Sequence, residues 1–325
     1  MRYCLFSISL VANLAFVGPV AAQQSSVSET TSVDINGHRV ESPAISRTAS
    51  ANSSVTTETR QSINGRSVPM ERVEERVLRD DASGRVVERQ IQRYDPQGNP
   101  TPPVKETIEE QKHADGSSTT QSTTFRGDIN GSMQVIEKTI TDSRPSGSGE
   151  SSETVVQRLT ANGLQTVEKR DEVVVKQGNG YQSETTTYRN DGNGGFYTAV
   201  RQTTEHTEQN GQSSDSSAEY EKTATGQLQL HSQTVMRTVT RPDGSKDAVV
   251  DVYGRSVPGT VSGNDSGLKL QEQQVIETVP GPNNTVVQTL SVRRPTVSDP
   301  QTLGPARQLS ETVCKGDCKP PKTGP

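Results

Sequence analysis

Two consecutive segments, residues 114–146 and 147–178, decide the fold of this chain. They read ADGSSTTQSTTFRGDINGSMQVIEKTITDSRPS and GSGESSETVVQRLTANGLQTVEKRDEVVVKQG. Each segment contains a turn signal, a run rich in Thr, Ser and Val, a second turn built on Asn-Gly, and a run containing Ile-Glu or Val-Glu. Asn-Gly suits a tight hairpin turn, and β-branched runs between tight turns are typical of consecutive antiparallel strands. Each segment is therefore predicted to be a two-strand unit.

The turn glycines recur at a fixed spacing along most of the chain. Glycines two places apart in this series, such as Gly84 and Gly116, are separated by 31 to 33 residues. A period of this length indicates a repeat architecture. The first strand of a unit also tends to end on a large side chain, as at Phe125, Tyr188, Tyr220 and Tyr253. The glycines are Gly84, Gly98, Gly116, Gly131, Gly147, Gly163, Gly180, Gly194, Gly211, Gly226 and Gly244.

The composition argues against a thick hydrophobic core. Aromatic residues make up 3% of the 325 residues and Trp is absent, although aromatic rings normally supply much of the buried area of a core. Charged and aliphatic side chains mix on both faces of the predicted strands. The predicted fold class is all-β: a repetitive antiparallel β-hairpin meander with two-strand repeats of about 32 residues. The meander would form an elongated, twisted single-layer or rolled sheet with flexible termini. A largely disordered polar chain is the alternative.

The chain is divided into four segments by its composition. Residues 1–22 are predicted to be a signal peptide, because Arg2 precedes an apolar stretch and small residues precede Gln23. Residues 23–50 are predicted to be a flexible Ser/Thr-rich leader and residues 51–294 the β-hairpin repeat region. Residues 295–325 are predicted to be a Pro-rich tail with a Cys pair. The mature chain is expected to be secreted, periplasmic or at the cell surface, with no transmembrane span.

Cys314 and Cys318 are the two cysteines that remain after removal of the signal peptide, which contains Cys4. In an oxidising compartment such a closely spaced pair most often forms a local disulfide. A metal site would require further ligands, and no His or additional Cys stands nearby. A disulfide between Cys314 and Cys318 is therefore predicted, with no metal site.

No catalytic or cofactor-binding residues are predicted, and the protein is expected not to be an enzyme. The sequence contains neither a nucleophile elbow nor a phosphate-binding loop. The histidines lack metal-ligand spacing and are expected to be solvated surface residues. They are His38, His113, His206 and His231. The net charge of −5 gives no electrostatic reason to expect nucleic acid as a partner.

The predicted function is an exported, non-catalytic repeat protein with a spacer, structural or adhesive role towards an unknown surface or matrix partner. The alternative is an extracytoplasmic carrier, resembling a β-barrel, that binds a ligand within a closed sheet. Exposed edges of an open sheet would also permit self-association.

Overall fold

The computed structural model describes residues 25–34, 38–39, 44–51, 53–63, 66–127, 132–223, 225–255, 267–296 and 302–316. These residues form 18 β-strands in a single sheet. The strands are β1 (Ser25–Ser32), β2 (Ala44–Ala51), β3 (Ser54–Ile63), β4 (Arg66–Asp81), β5 (Gly84–Arg93), β6 (Val104–Lys112), β7 (Ser118–Gly127), β8 (Met133–Ser146), β9 (Gly149–Thr160), β10 (Gly163–Gln177), β11 (Gly180–Asn190), β12 (Phe196–Gln209), β13 (Gln212–Lys222), β14 (Leu228–Thr240), β15 (Lys246–Gly254), β16 (Lys269–Gly281), β17 (Thr285–Arg293) and β18 (Arg307–Gly316).

The sheet is an antiparallel barrel in which every strand pairs with its neighbours along the chain. The barrel closes because β1 pairs with both β2 and β18, with Ser26 opposite Gly316 and Ser32 opposite Ser310 at the two ends of the seam. The prediction of an all-β hairpin meander is confirmed, and so is its period. Strands β9, β11 and β13 begin at Gly149, Gly180 and Gln212, which are 31 and 32 residues apart.

Closure corrects the expected shape and the expected ends of the sheet. The sequence predicts an open or rolled sheet, whereas the structure pairs its first and last strands. Strand β1 and all of β2 except Ala51 lie in the predicted leader, and β18 lies in the predicted tail. Their Ser/Thr-rich sequences carry few aliphatic side chains, so the local pattern is weak, and the ladder hydrogen bonds of the closed sheet stabilise them instead. The predicted signal peptide lies outside the described residues.

The connections between strands differ at the two ends of the barrel. Connections that follow odd-numbered strands include the long segments 94–103, 255–268 and 294–306, and we call this the loop end. Connections that follow even-numbered strands are mostly two-residue turns, and we call this the turn end. The start of β1 and the end of β18 also lie at the turn end.

Within the described residues, tight turns form at predicted positions, with one change of detail, whereas the predicted Asn130-Gly131 turn lies outside the described residues. Asn210 and Gly211 both have positive φ, at 51° and 75°, as a type I′ turn requires. At the Asn162-Gly163 pair, however, the turn residues are Ala161 and Asn162, and only Gly163 has positive φ, at 91°. A glycine in the left-handed region directly after a turn is a common alternative hairpin geometry.

A β-bulge recurs near the loop end, at the large side chains that end several odd-numbered strands. The register shifts beside Phe125, Tyr188, Tyr220 and Tyr253, where the neighbouring even-numbered strand has one extra residue. A bulge bends its strand and increases the local twist. Seven of the nine hairpins that turn at the loop end contain such a register shift, and we expect the repeated bends to contribute to the curvature of the barrel.

The pairing register assigns each side chain to the inner or outer face. Directly paired residues in antiparallel strands lie on the same face. One face includes Val87 and Val156, which are only 1% and 5% exposed. The other face includes Val173 and Val279, which are 47% and 50% exposed. Side chains converge on the concave wall of a barrel and spread apart on the convex wall, so the face of Val87 is the inner face.

The interior is not filled by a close-packed core. Within the described part of the chain, the buried apolar residues are small, and the inner side chains mostly keep intermediate exposure. Barrels of 16 to 18 strands are wide enough to leave an aqueous interior. The buried apolar residues are Val87, Val156, Ala199, Ala248 and Val292.

Candidate functional site on the inner wall

Hydroxyl groups cover a continuous part of the inner wall around the seam of the barrel. Alternation along β18, β1, β2 and β3 brings Ser and Thr to the inner face of each strand. Neighbouring hydroxyls then meet across the strands, and a similar pair joins β8 to β9. Each hydroxyl has one donor and two acceptor positions, so a paired hydroxyl can still bind a further polar group. The pairs are Thr30–Thr312 at 3.0 Å, Ser46–Thr59 at 3.1 Å, Thr48–Thr57 at 3.1 Å and Thr141–Thr154 at 2.9 Å.

Arginines line the inner wall at the loop end. We call these six residues the arginine collar, and four of them pair with a glutamate on the preceding even-numbered strand. The two others, Arg126 and Arg307, make no ion pair within the described ranges. The collar consists of Arg93, Arg126, Arg158, Arg189, Arg294 and Arg307. The ion pairs are Arg93–Glu71 at 2.9 Å, Arg158–Glu137 at 2.8 Å, Arg189–Glu168 at 3.7 Å and Arg294–Glu272 at 2.8 Å.

A partly buried charge network crosses the inner wall on strands β4 to β7. Arg89 donates from Nη2 to Glu75 at 3.0 Å and from Nη1 to Glu106 at 2.9 Å. The Ser122 hydroxyl donates to the second oxygen of Glu106 at 2.9 Å. The ionic side chains are about one quarter exposed, between 23% and 28%. Because each charged side chain of the network has a partner, we interpret the network as a structural link between the strands.

Titratable side chains gather on the inner wall of β10 to β13, closer to the turn end. The rings of Tyr181 and His206 stack with centroids 5.2 Å apart, and His206 Nδ1 lies 2.7 Å from Asp215 Oδ1. Burial, together with the carboxylates of Asp215 and Glu172, raises the pKa of the Tyr181 hydroxyl. Burial raises the pKa of Glu172 as well, and the Glu150 carboxylate adds to this effect.

The structure changes the interpretation of one histidine. His206 was expected to be a solvated surface residue, but its side chain is 24% exposed and lies against Tyr181 and Asp215. The strand register causes this, because His206 pairs directly with Tyr181 on one side and with Asp215 on the other. His38 is an exposed residue beside Asp34, as expected.

The predicted disulfide falls partly outside the described residues. Cys314 lies in β18 on the inner face, opposite Ser28 of β1 and Val286 of β17. Cys318 lies outside the described residues, so the Cys314–Cys318 bridge stays a prediction.

The described ranges contain no group of three or more His, Cys, Asp or Glu side chains placed to hold a metal ion. The same ranges contain no helix with the length and hydropathy needed to cross a bilayer.

The sequence contains a signal for the collar that the glycine period does not reveal. In each of the four ion pairs the glutamate precedes its arginine by 21 or 22 residues. That distance covers the rest of the strand that holds the glutamate, one turn and most of the next strand. It therefore places the two side chains opposite each other on one face. A search for charge pairs at this separation within the 32-residue period would have found them.

Comparisons with known proteins do not assign the chain to a family. No protein-family model matches the sequence, and no curated protein is significantly similar to it.

Proposed function

We propose that this protein is an exported, non-catalytic barrel that binds a hydroxyl-rich polar ligand, such as a glycan chain, against its inner wall. The observation that carries the proposal is the wall of inward Ser and Thr side chains in an interior that side chains leave open. Sugar hydroxyls both donate and accept hydrogen bonds, as Ser and Thr hydroxyls do. The mouths of β-barrels are among the places where ligand sites preferentially occur.

The remaining parts of the proposal rest on the sequence and on the ion pairs of the inner wall. Export is supported by the basic start, the apolar stretch and the small residues before Gln23. A non-catalytic role is supported by the ion pairing of the inner arginines and glutamates, which suits a fixed wall more than proton transfer. The mature protein would act in the periplasm, at the cell surface or outside the cell.

A spacer or adhesive role is a second proposal, favoured by apolar side chains on the outer face. Val27, Val173, Val239 and Val279 are between 39% and 50% exposed there. They offer scattered apolar contacts to a surface or matrix partner. Association through sheet edges would first require the seam between β1 and β18 to open, because closure pairs both edges.

Binding to the inner wall is tested with a matched pair of triple variants. Thr48→Val, Thr57→Val and Thr141→Val remove inner hydroxyls, while Thr56→Val, Thr107→Val and Thr203→Val remove outer ones. Calorimetry with a maltodextrin and an oligogalacturonate measures affinity. The inner triple should weaken binding by about tenfold or more, since each net hydrogen bond contributes about 0.5–1.5 kcal/mol. Equal affinities of the two triples, or no binding of either glycan to the unmodified chain, would contradict the proposal.

A further inference from the structure

We propose that the arginine collar binds the carboxylate groups of an acidic glycan that enters the barrel at the loop end. This inference rests on the proposed function, and it names the ligand class and the place where the ligand is first held. A flat guanidinium binds a carboxylate through two parallel hydrogen bonds, which makes arginine the side chain best suited to this group.

The collar keeps donors available although four of its members are paired. Glu71 and Glu137 accept only from the Nε–H of Arg93 and Arg158, so the Nη groups of these two arginines have no acceptor within the described residues. The Arg93 and Arg158 side chains are 67% and 63% exposed at the mouth. Their guanidinium groups can therefore bind a second carboxylate without breaking the existing pair.

Among the collar arginines and their glutamate partners, positive charge exceeds negative charge; the same end of the inner wall also carries Glu219 and Glu221 of β13 and Arg66 of β4. The six collar arginines face four paired glutamates, because Arg126 and Arg307 make no ion pair within the described part of the chain. Arg126 lies opposite Val104 and Gln134, and Arg307 lies opposite Val292. Among the described residues, these two arginines are the collar members with no acidic cross-strand partner.

The spacing of the collar suits a polymer with repeated charges. Arg93, Arg126, Arg158 and Arg189 stand on alternate strands, β5, β7, β9 and β11. Alternate strands are about 10 Å apart, twice the distance between neighbouring strands. Arg126, Arg158 and Arg189 each lie two or four residues along the strand from an inward-facing hydroxyl or charged group. Thr124, for example, lies two residues before Arg126 on the same face. An acidic glycan can thus place carboxylates on the collar and hydroxyls on the wall below it.

The test compares two double variants with the same change of charge. Arg126→Gln with Arg307→Gln removes the two collar arginines that form no ion pair with a described residue, and Arg47→Gln with Arg72→Gln removes two exposed arginines of the outer face. Calorimetry on the full chain uses an oligogalacturonate as the acidic probe, a maltodextrin as the neutral probe and polyphosphate as a non-glycan polyanion. Thermal melts of both variants check that the fold is kept.

The expected result is that the collar variant binds oligogalacturonate about tenfold or more weakly, since it loses charge-assisted hydrogen bonds. Its affinity for maltodextrin should stay the same, and the outer variant should match the unmodified chain with both glycans. Added salt should weaken oligogalacturonate binding to the unmodified chain.

Three outcomes would overturn the inference. If the collar variant keeps its affinity for oligogalacturonate while the inner threonine variants lose theirs, the inference fails and the proposed function stands. If polyphosphate binds the collar and oligogalacturonate does not, the ligand class is wrong. If neither glycan binds the unmodified chain, the inference and the proposed function both fail.

Discussion

At the scale of single residues, aspartates at the turn end use their carboxylates to hold the turns. Asp81, Asp115 and Asp243 each accept from the hydroxyl and the backbone N–H of the serine two residues later. The hydroxyl oxygens of Ser83, Ser117 and Ser245 lie 2.6 Å from these carboxylates. These hydrogen bonds to the charged form hold the pKa of each carboxyl below its ordinary value, with the serine hydroxyl as the largest cause.

Acid should therefore destabilise the barrel partly through these turns. A carboxyl whose pKa is lower in the folded state stabilises that state above the ordinary pKa of about 3.9, and loses this contribution as the pH falls through the folded pKa. We expect the variant Asp81→Asn, Asp115→Asn, Asp243→Asn to show a smaller drop in melting temperature between pH 6 and pH 3 than the unmodified chain. Parallel melting curves of the two proteins over this range would contradict the assignment.

At the scale of the strand and its turn, the local sequence specifies hairpins very directly. Strand type, the turn positions and the two-strand period were all predictable, since they follow from β-branched runs and from residues that tolerate positive φ. It was harder to predict whether each side chain lies on the inner or the outer face of the sheet. A bulge at Ala199 or Ile136 shifts the pairing by one residue. The large side chains Tyr188 and Phe125 mark these places in the sequence, but their recurrence alone does not show that the neighbouring strand has an extra residue.

The turn at Asn210 offers a test with an internal control. Asn210 has φ 51°, whereas Asn179 occupies a two-residue turn without positive φ. We expect Asn210→Ala to lower the free energy of unfolding by about 1 kcal/mol, because a left-handed conformation is costly for alanine. Asn179→Ala should change it by less than about 0.5 kcal/mol. Chemical denaturation measures both variants, and equal effects would show that the positive φ does not matter.

At the scale of the whole molecule, closure decides which surfaces exist. An open sheet of the same hairpins would have two free edges and two solvated faces. Pairing of Ser26 with Gly316 removes both edges and creates an enclosed wall of hydroxyls, ion pairs and the arginine collar. The inner site therefore depends on strands β1, β2 and β18, which the sequence assigned to the leader and the tail.

Deletion of whole strands tests the closure. An antiparallel barrel closes only with an even number of strands, because the first and last strands must run in opposite directions. Removal of residues 115–146, which contain β7 and β8, should leave a monomeric folded barrel with a lower melting temperature. Removal of Arg307–Gly316, which is β18, should leave two unpaired edges and cause aggregation. Light scattering after size-exclusion chromatography distinguishes these results, and a monomeric β18 deletion would argue against the closed barrel.

The sequence by itself determined the strands, their antiparallel order, the tight turns and the period of about 32 residues. These features depend on residues that are close along the chain, so local propensity and turn chemistry are sufficient to specify them. Only the tertiary structure decided that the sheet closes, which face is the inner one, and which charges meet at the loop end. Closure joins Ser26 to Gly316, at opposite ends of the chain, and it depends on twist and bulges summed over all the strands. Neighbouring residues look the same in an open and a closed sheet, so their pattern could not distinguish the two.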